Sequence, residues 1–234
     1  MKNIPHTKNL DFVTSATAQI QLNQNAGFQV KPGMTTVIIA LLIALFLPPS
    51  SAHAEKNILV FGDSLSAGYG IARDASWVKL LADELRKTHP QYALVNGSIS
   101  GETSGGGLRR INQALQQHHP DIVILELGAN DGLRGNPLPL MRENLSAIIQ
   151  HAKAAHARVL LVGMRLPPNY GKTYVSEFQT TYAQLAKQHR VALLPFLLDG
   201  ITAQQFQPDN LHPDADVQPR IMDNVLRSLL PLLK

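Results

Sequence analysis

Short apolar runs recur along this chain, separated by stretches in which apolar residues return every three or four positions. Residues 58–61 (ILVF) form a continuous apolar run closed by Gly62, the pattern of a strand buried on both faces of a parallel sheet. Trp77, Leu80, Leu81 and Leu85 then repeat at helical spacing, with Asp74 placed to cap the start and Pro90 following the end. The alternation continues. Residues 92–95 predict a second strand, Leu108, Ile111 and Leu115 a second helix closed by His118, His119 and Pro120, and 122–127 (IVILEL) a third strand. Met141, Leu145, Ile148 and Ile149 mark the next helix, 159–162 the fourth strand, and Phe178, Tyr182 and Leu185 another helix. A short fifth strand at 192–194 precedes a closing helix on Ile221, Val225, Leu229 and Leu230. Strands separated by helices imply right-handed βαβ crossovers, hence an α/β fold with a parallel sheet between two helical layers. Ligands of such sheets bind beyond the carboxyl ends of the strands.

Composition narrows the picture. Of 234 residues, 44% are hydrophobic and 16% charged, enough apolar material for a sizeable core and against extended disorder. The formal net charge is +4, but residues 1–54 hold Lys2, Lys8 and Lys31 against Asp11, so 21 basic and 17 acidic residues become 18 and 16 beyond them. A balance of +2 without a basic stripe gives no reason to expect a nucleic-acid partner. Cysteine is absent, which removes thiol nucleophiles, disulfides and thiolate metal sites.

The first 54 residues read differently from the rest. Residues 37–47 (VIIALLIALFL) are an uncharged apolar run of 11, preceded by Lys31 and followed by Ala52 and Ala54 in an A-x-A arrangement. Such a run suits a signal-peptide core and is too short to span a bilayer, which takes about 20 residues. The expectation is export with cleavage after Ala54, to the periplasm or beyond, leaving 55–234 as a single domain without a membrane span. An uncleaved N-terminal anchor is the alternative, and translation from Met34 rather than Met1 stays open.

Four segments that follow strands carry candidate chemistry. Ser64, just past the first strand in FGDSLSAGYG, projects from the carboxyl edge of the sheet, where a neighbouring base turns a hydroxyl into a nucleophile. The plain alternative is a helix cap. DNLHP places Asp209 three residues before His212, an acid and a base in one loop, as needed to orient an imidazole and stabilise its charged form. A solvated loop histidine is the alternative there, and Asp199 and Asp214 lack that spacing. Asn130 in GAND offers a side-chain amide, and Gly101 in SGETS a backbone N–H that nothing shields; with the Ser64 N–H they can form an oxyanion hole. Their alternatives are a turn residue and a flexible loop. Asp63 is read as tying down its turn. His118, His119, His151 and His156 have no carboxylates at ligand spacing, so no metal site is expected. Two further loops, 132–140 (GLRGNPLPL) and 165–171 (RLPPNYG), offer Leu133, Leu138, Leu166, Pro167 and Tyr170 as an apolar acyl groove, with the first loop mobile.

Taken together, FGDSLSAGYG, SGETS, ELGANDGLRG, RLPPNYG and DNLHP resemble the SGNH (GDSL) hydrolases, in particular their exported thioesterases, lysophospholipases and arylesterases. The similarity runs from residue 57 to the C-terminus. It implies a flavodoxin-like three-layer α/β/α sandwich on a five-stranded parallel sheet and hydrolysis of acyl esters or thioesters without metal or cofactor. It further implies Ser64 as nucleophile, His212 as general base, Asp209 as its orienting acid, and Ser64, Gly101 and Asn130 as the oxyanion hole. The expected partner is a small acyl ester or thioester, and a monomer is expected. A carbohydrate or small acetyl esterase, or a non-catalytic lipid or glycan binder on the same fold, are the other readings.

Overall fold

Each apolar run becomes a strand because its side chains can be buried on both faces only inside a covered sheet. The computed structural model describes residues 55–233. The expected leader, its cleavage after Ala54 and the choice between Met1 and Met34 lie outside the described residues. Five strands, β1 (Lys56–Gly62), β2 (Tyr92–Asn96), β3 (Ile122–Glu126), β4 (Arg158–Val162) and β5 (Ala192–Leu194), form one sheet in the order β2-β1-β3-β4-β5. All pairs are parallel, with Ile58 beside both Leu94 and Ile122, and Leu160 beside Ile124 and Ala192. The centre is dry: Ile58, Leu59, Val60 and Phe61 of β1 and every residue of β3 are buried.

Among the described residues seven α-helices connect and cover the strands: α1 (Ser64–Ala67), α2 (Trp77–Thr88), α3 (Ser104–His118), α4 (Ala129–Leu133), α5 (Leu138–Ala154), α6 (Lys172–His189) and α7 (Gln218–Leu229). α2 packs with α7, while α3, α5 and α6 pack side by side, so helices cover both faces of the sheet. This is the expected three-layer sandwich. Its strand order changes direction between β1 and β3, and the crevice at their carboxyl ends is where this topology leaves room for a ligand.

Three local expectations change. Asp74 does not cap α2: it lies in a 3-10 turn (Arg73–Ala75), and Ser76, next to the helix, accepts from the Lys79 N–H instead. Leu230 does not extend the apolar face of α7, because the helix ends at Leu229 and the Pro231 segment turns Leu230 outward, 44% exposed. The stretch 132–140 is not one continuous loop: α4 ends at Leu133, α5 begins at Leu138, and residues 134–137 connect them. Among the described residues no helix is long and apolar enough to cross a membrane.

Candidate active site

β1 ends on Gly62, and the next residue turns the chain. Asp63 Oδ1 accepts from the Leu65 N–H at 3.0 Å and caps α1, so Ser64 becomes the first residue of that helical turn at the carboxyl edge of the sheet. The local sequence builds this turn; the partners come from far along the chain.

His212 Nε2 lies 2.8 Å from Ser64 Oγ across 148 residues of sequence. Its other nitrogen, Nδ1, is 2.6 Å from Asp209 Oδ2. Asp209 Oδ1 also accepts from the Leu211 and His212 backbone N–H groups at 2.9 and 3.0 Å, so the acid holds both the ring and the loop that carries it. Burial alone would push the Asp209 carboxyl up. The hydrogen bonds from the imidazole and the two N–H groups outweigh it and bring Asp209 down to about 2. Asp209 is therefore ionised at neutral pH and accepts a proton held on Nδ1, so the neutral tautomer that it favours presents Nε2 to Ser64 as an acceptor.

Gly101 and Asn130 arrive from the loops after β2 and β3. Gly101 takes φ +77, a conformation that suits glycine, and its carbonyl accepts from Arg134 Nη2 at 3.0 Å. Asn130 lies in α4, and its Nδ2 donates to Asp63 Oδ2 at 3.1 Å and to the Glu102 carbonyl at 3.0 Å. Its Oδ1 faces Arg134 Nη2 at 3.4 Å. The amide is thus tied to both the serine turn and the Gly101 loop. The same two loops are fastened again where Asp131 accepts from the Ser104 N–H and hydroxyl, both at 2.7 Å, in a buried contact.

Beneath the serine turn lies a pair of buried carboxyls. Glu126, the last residue of β3, accepts from Ser66 Oγ at 2.7 Å and from the Asp63 N–H at 3.3 Å through Oε2. Its Oε1 is buried with no hydrogen-bond partner, an arrangement that penalises a charged carboxylate. Burial first, and the neighbouring Asp63 charge second, push the Glu126 carboxyl well above the ordinary range. Burial also pushes Asp63 up, to about 6, against the hydrogen bonds it receives. The buried pair thus resists carrying two negative charges at once.

A cavity of about 290 Å³ opens beside Ser64, His212 and Asn130. Of the residues expected to form an acyl groove, Leu133, Leu166 and Pro167 line it. Leu138 and Tyr170 do not: Leu138 is buried in the first turn of α5, and the Tyr170 hydroxyl donates to the Leu133 carbonyl at 3.0 Å, bracing the wall from outside. Sequence reasoning missed Phe196 and Phe206, which also line it, and took Arg165 only as the start of a flanking loop, whereas its guanidinium lines the cavity 4.5 Å from the Phe196 ring centroid. It missed Arg134 and Glu126 as well. Only Glu126 left a signal, a carboxylate inside an otherwise apolar strand. Among the described residues no cluster of three or more His, Asp or Glu side chains is placed to hold a metal ion.

Comparison with known proteins gives the family. The model of the GDSL-like Lipase/Acylhydrolase family matches residues 60–218. Esterase TesA of Pseudomonas aeruginosa is 42% identical over 202 residues, covering 86% of this chain and all of that protein. Thioesterase 1/protease 1/lysophospholipase L1 of Escherichia coli K12 is 44% identical over 184 residues, 78% of this chain and 87% of that one. A crystal structure of TesA superposes with a TM-score of 0.74 at 43% identity, covering 76% of this chain and all of the other.

Proposed function

Because the chain belongs to the GDSL-like lipase/acylhydrolase family, and is with it a hydrolase of carboxylic esters and thioesters, we propose that it works through a Ser64–His212–Asp209 triad and an acyl-enzyme. The observation that carries this reading is the unbroken relay from Ser64 Oγ to His212 Nε2, 2.8 Å, and from Nδ1 to Asp209, 2.6 Å.

In the first step Nε2 takes the hydroxyl proton as Oγ attacks the acyl carbonyl. Asp209, already ionised, stabilises the imidazolium without taking its proton. The developing oxyanion is held by the Ser64 and Gly101 N–H groups, neither of which has a protein acceptor among the described residues, and by the Asn130 amide. One Asn130 hydrogen stays on Asp63; the other leaves the Glu102 carbonyl for the oxyanion. Collapse expels the alcohol or thiol with the proton from Nε2. Water, deprotonated by the same nitrogen, then attacks the acyl-enzyme and releases the carboxylic acid with Ser64 restored.

The acyl chain is placed in the cavity along Leu133, Leu166 and Pro167. The mature enzyme is the single domain from Glu55 onward, exported after removal of residues 1–54. Hydrolysis of p-nitrophenyl esters from acetyl to palmitoyl, by protein beginning at Glu55 and by Ser64→Ala, tests the assignment. Turnover that disappears in the variant is expected. Turnover that survives it would sink the serine mechanism, and activity confined to acetyl esters would favour a deacetylase.

A further inference from the structure

Tyr69 follows α1 at the edge of the proposed active site, and the residue is 54% exposed. An aromatic side chain so open to water gains little from burial, yet this one is docked: its ring centroid lies 4.6 Å from that of the His212 imidazole, the planes tilted by 40°. Its hydroxyl makes no hydrogen bond among the described residues, so the ring face is what it contributes.

The docking has a dedicated support in Gln207. The Gln207 N–H donates to the His212 carbonyl at 2.8 Å, while Nε2 donates to the Tyr69 carbonyl at 3.0 Å and to the Pro213 carbonyl at 3.2 Å. One residue thus joins the backbone that carries the ring to the backbone that carries the imidazole. Gly70 makes room for it. Gly70 takes φ +75, and a Cβ there would lie 2.1 Å from Gln207 Oε1, so a larger residue would push the glutamine out.

We propose that Tyr69, pinned by Gln207, is a positioning residue for His212, holding the imidazole in line with Ser64 and stabilising its cationic form on the ring face. The proposal rests on the serine-hydrolase reading above. A cation within about 6 Å of an aromatic centroid is attracted by the ring's negative face, and an imidazolium forms in both chemical steps. The charged and titratable groups around His212 are Asp209 on its own loop, Asp63 on the serine turn with Glu126 behind it, the Tyr69 phenol, and Arg165 in the shared cavity. Tyr69 is the member of this set that offers an aromatic face.

The test compares Tyr69→Leu, Tyr69→Phe and Gln207→Ala with wild type, reading kcat and KM across pH on a p-nitrophenyl ester and the imidazole titration midpoint by NMR. In Tyr69→Leu the acid limb of kcat/KM and the NMR midpoint should both move down by about half a pH unit, the size of an exposed cation–π contact. Its kcat should fall roughly threefold with KM unchanged. Tyr69→Phe, which keeps the ring, should restore both readouts, and Gln207→Ala should lower kcat without raising KM. An unmoved midpoint in Tyr69→Leu overturns the proposal. If KM rises instead while the midpoint stays, the ring is a substrate contact. No wild-type turnover with a shifted midpoint would refute the esterase reading and leave the Tyr69–His212 coupling standing.

Discussion

At the scale of single residues, the proposed mechanism assigns unequal weights to its parts. Ser64 and His212 form the bond-making pair, so Ser64→Ala or His212→Ala should each lower kcat by on the order of 10⁴ to 10⁶ on p-nitrophenyl butyrate. Asp209→Ala should cost less than His212→Ala, since the imidazole remains and loses only its orientation and a nearby charge; equal losses would argue that Asp209 does more than orient. Asn130→Ala should cost roughly 10² to 10³ in kcat, about 3 to 4 kcal/mol of transition-state stabilisation, with KM nearly constant. An unchanged kcat would remove Asn130 from the oxyanion hole. The Asn130 amide is already tied to Asp63 and the Glu102 carbonyl, so its orientation is set before substrate arrives.

At the scale of elements, caps and turns separate positions that look alike in sequence. Ser76 accepts from the Lys79 N–H and caps α2, whereas Asp74 makes no cap contact. Ser76→Ala should therefore destabilise the fold by about 1 kcal/mol in urea titration, and Asp74→Ala by less than about 0.5 kcal/mol. The reverse order would return the cap to Asp74. Leu133 and Leu138 were expected to act together in an acyl groove, but the short α4 puts Leu133 on the cavity wall while α5 buries Leu138. Leu133→Ser should alter the preference between short and long acyl esters. Leu138→Ser should leave that preference in place and lower stability, by burying a hydroxyl and opening a void. A stability loss alone from Leu133→Ser would remove it from substrate binding.

At the scale of the whole molecule, carboxyls pull stability in opposite directions as pH changes. Asp63 and Glu126 have folded-state values above their ordinary ones, so the native state binds more protons than the unfolded chain. Stability contributed by their protonated forms is present at low pH and is lost as pH rises from near 3.8 through about 6 for Asp63, with Glu126 continuing the loss above its own ordinary value. Asp209 behaves oppositely: its value is depressed to about 2, so its contribution is present above the ordinary carboxylate range and fades as pH falls toward 2. Urea unfolding should therefore give lower stability at pH 8 than at pH 5. Glu126→Gln, which replaces the buried carboxyl by a neutral amide that does not titrate, should shrink that difference. A difference as large in Glu126→Gln as in wild type would mean that the buried pair is not its source.

The α/β class, the succession of strands and helices and the apolar core were legible in the sequence, because each depends on periodicity within ten to fifteen residues. The serine, the DNLHP acid–base pair, Gly101 and Asn130 were legible as candidates, because each follows a strand whose carboxyl end the topology turns toward one crevice. Local pattern also explains the failures: Asp74 and Ser76 are equally good caps on paper, and the apolar residues of 132–140 do not reveal which of them a helix will bury. What only the tertiary structure decided is which distant groups meet. The 2.8 Å approach of His212 to Ser64, the lean of Tyr69 on the imidazole, the Gln207 tie and the Glu126 carboxyl beneath Asp63 all join separate segments of the chain. Distances of that kind follow from how strands and helices pack, and a short stretch of sequence does not encode them.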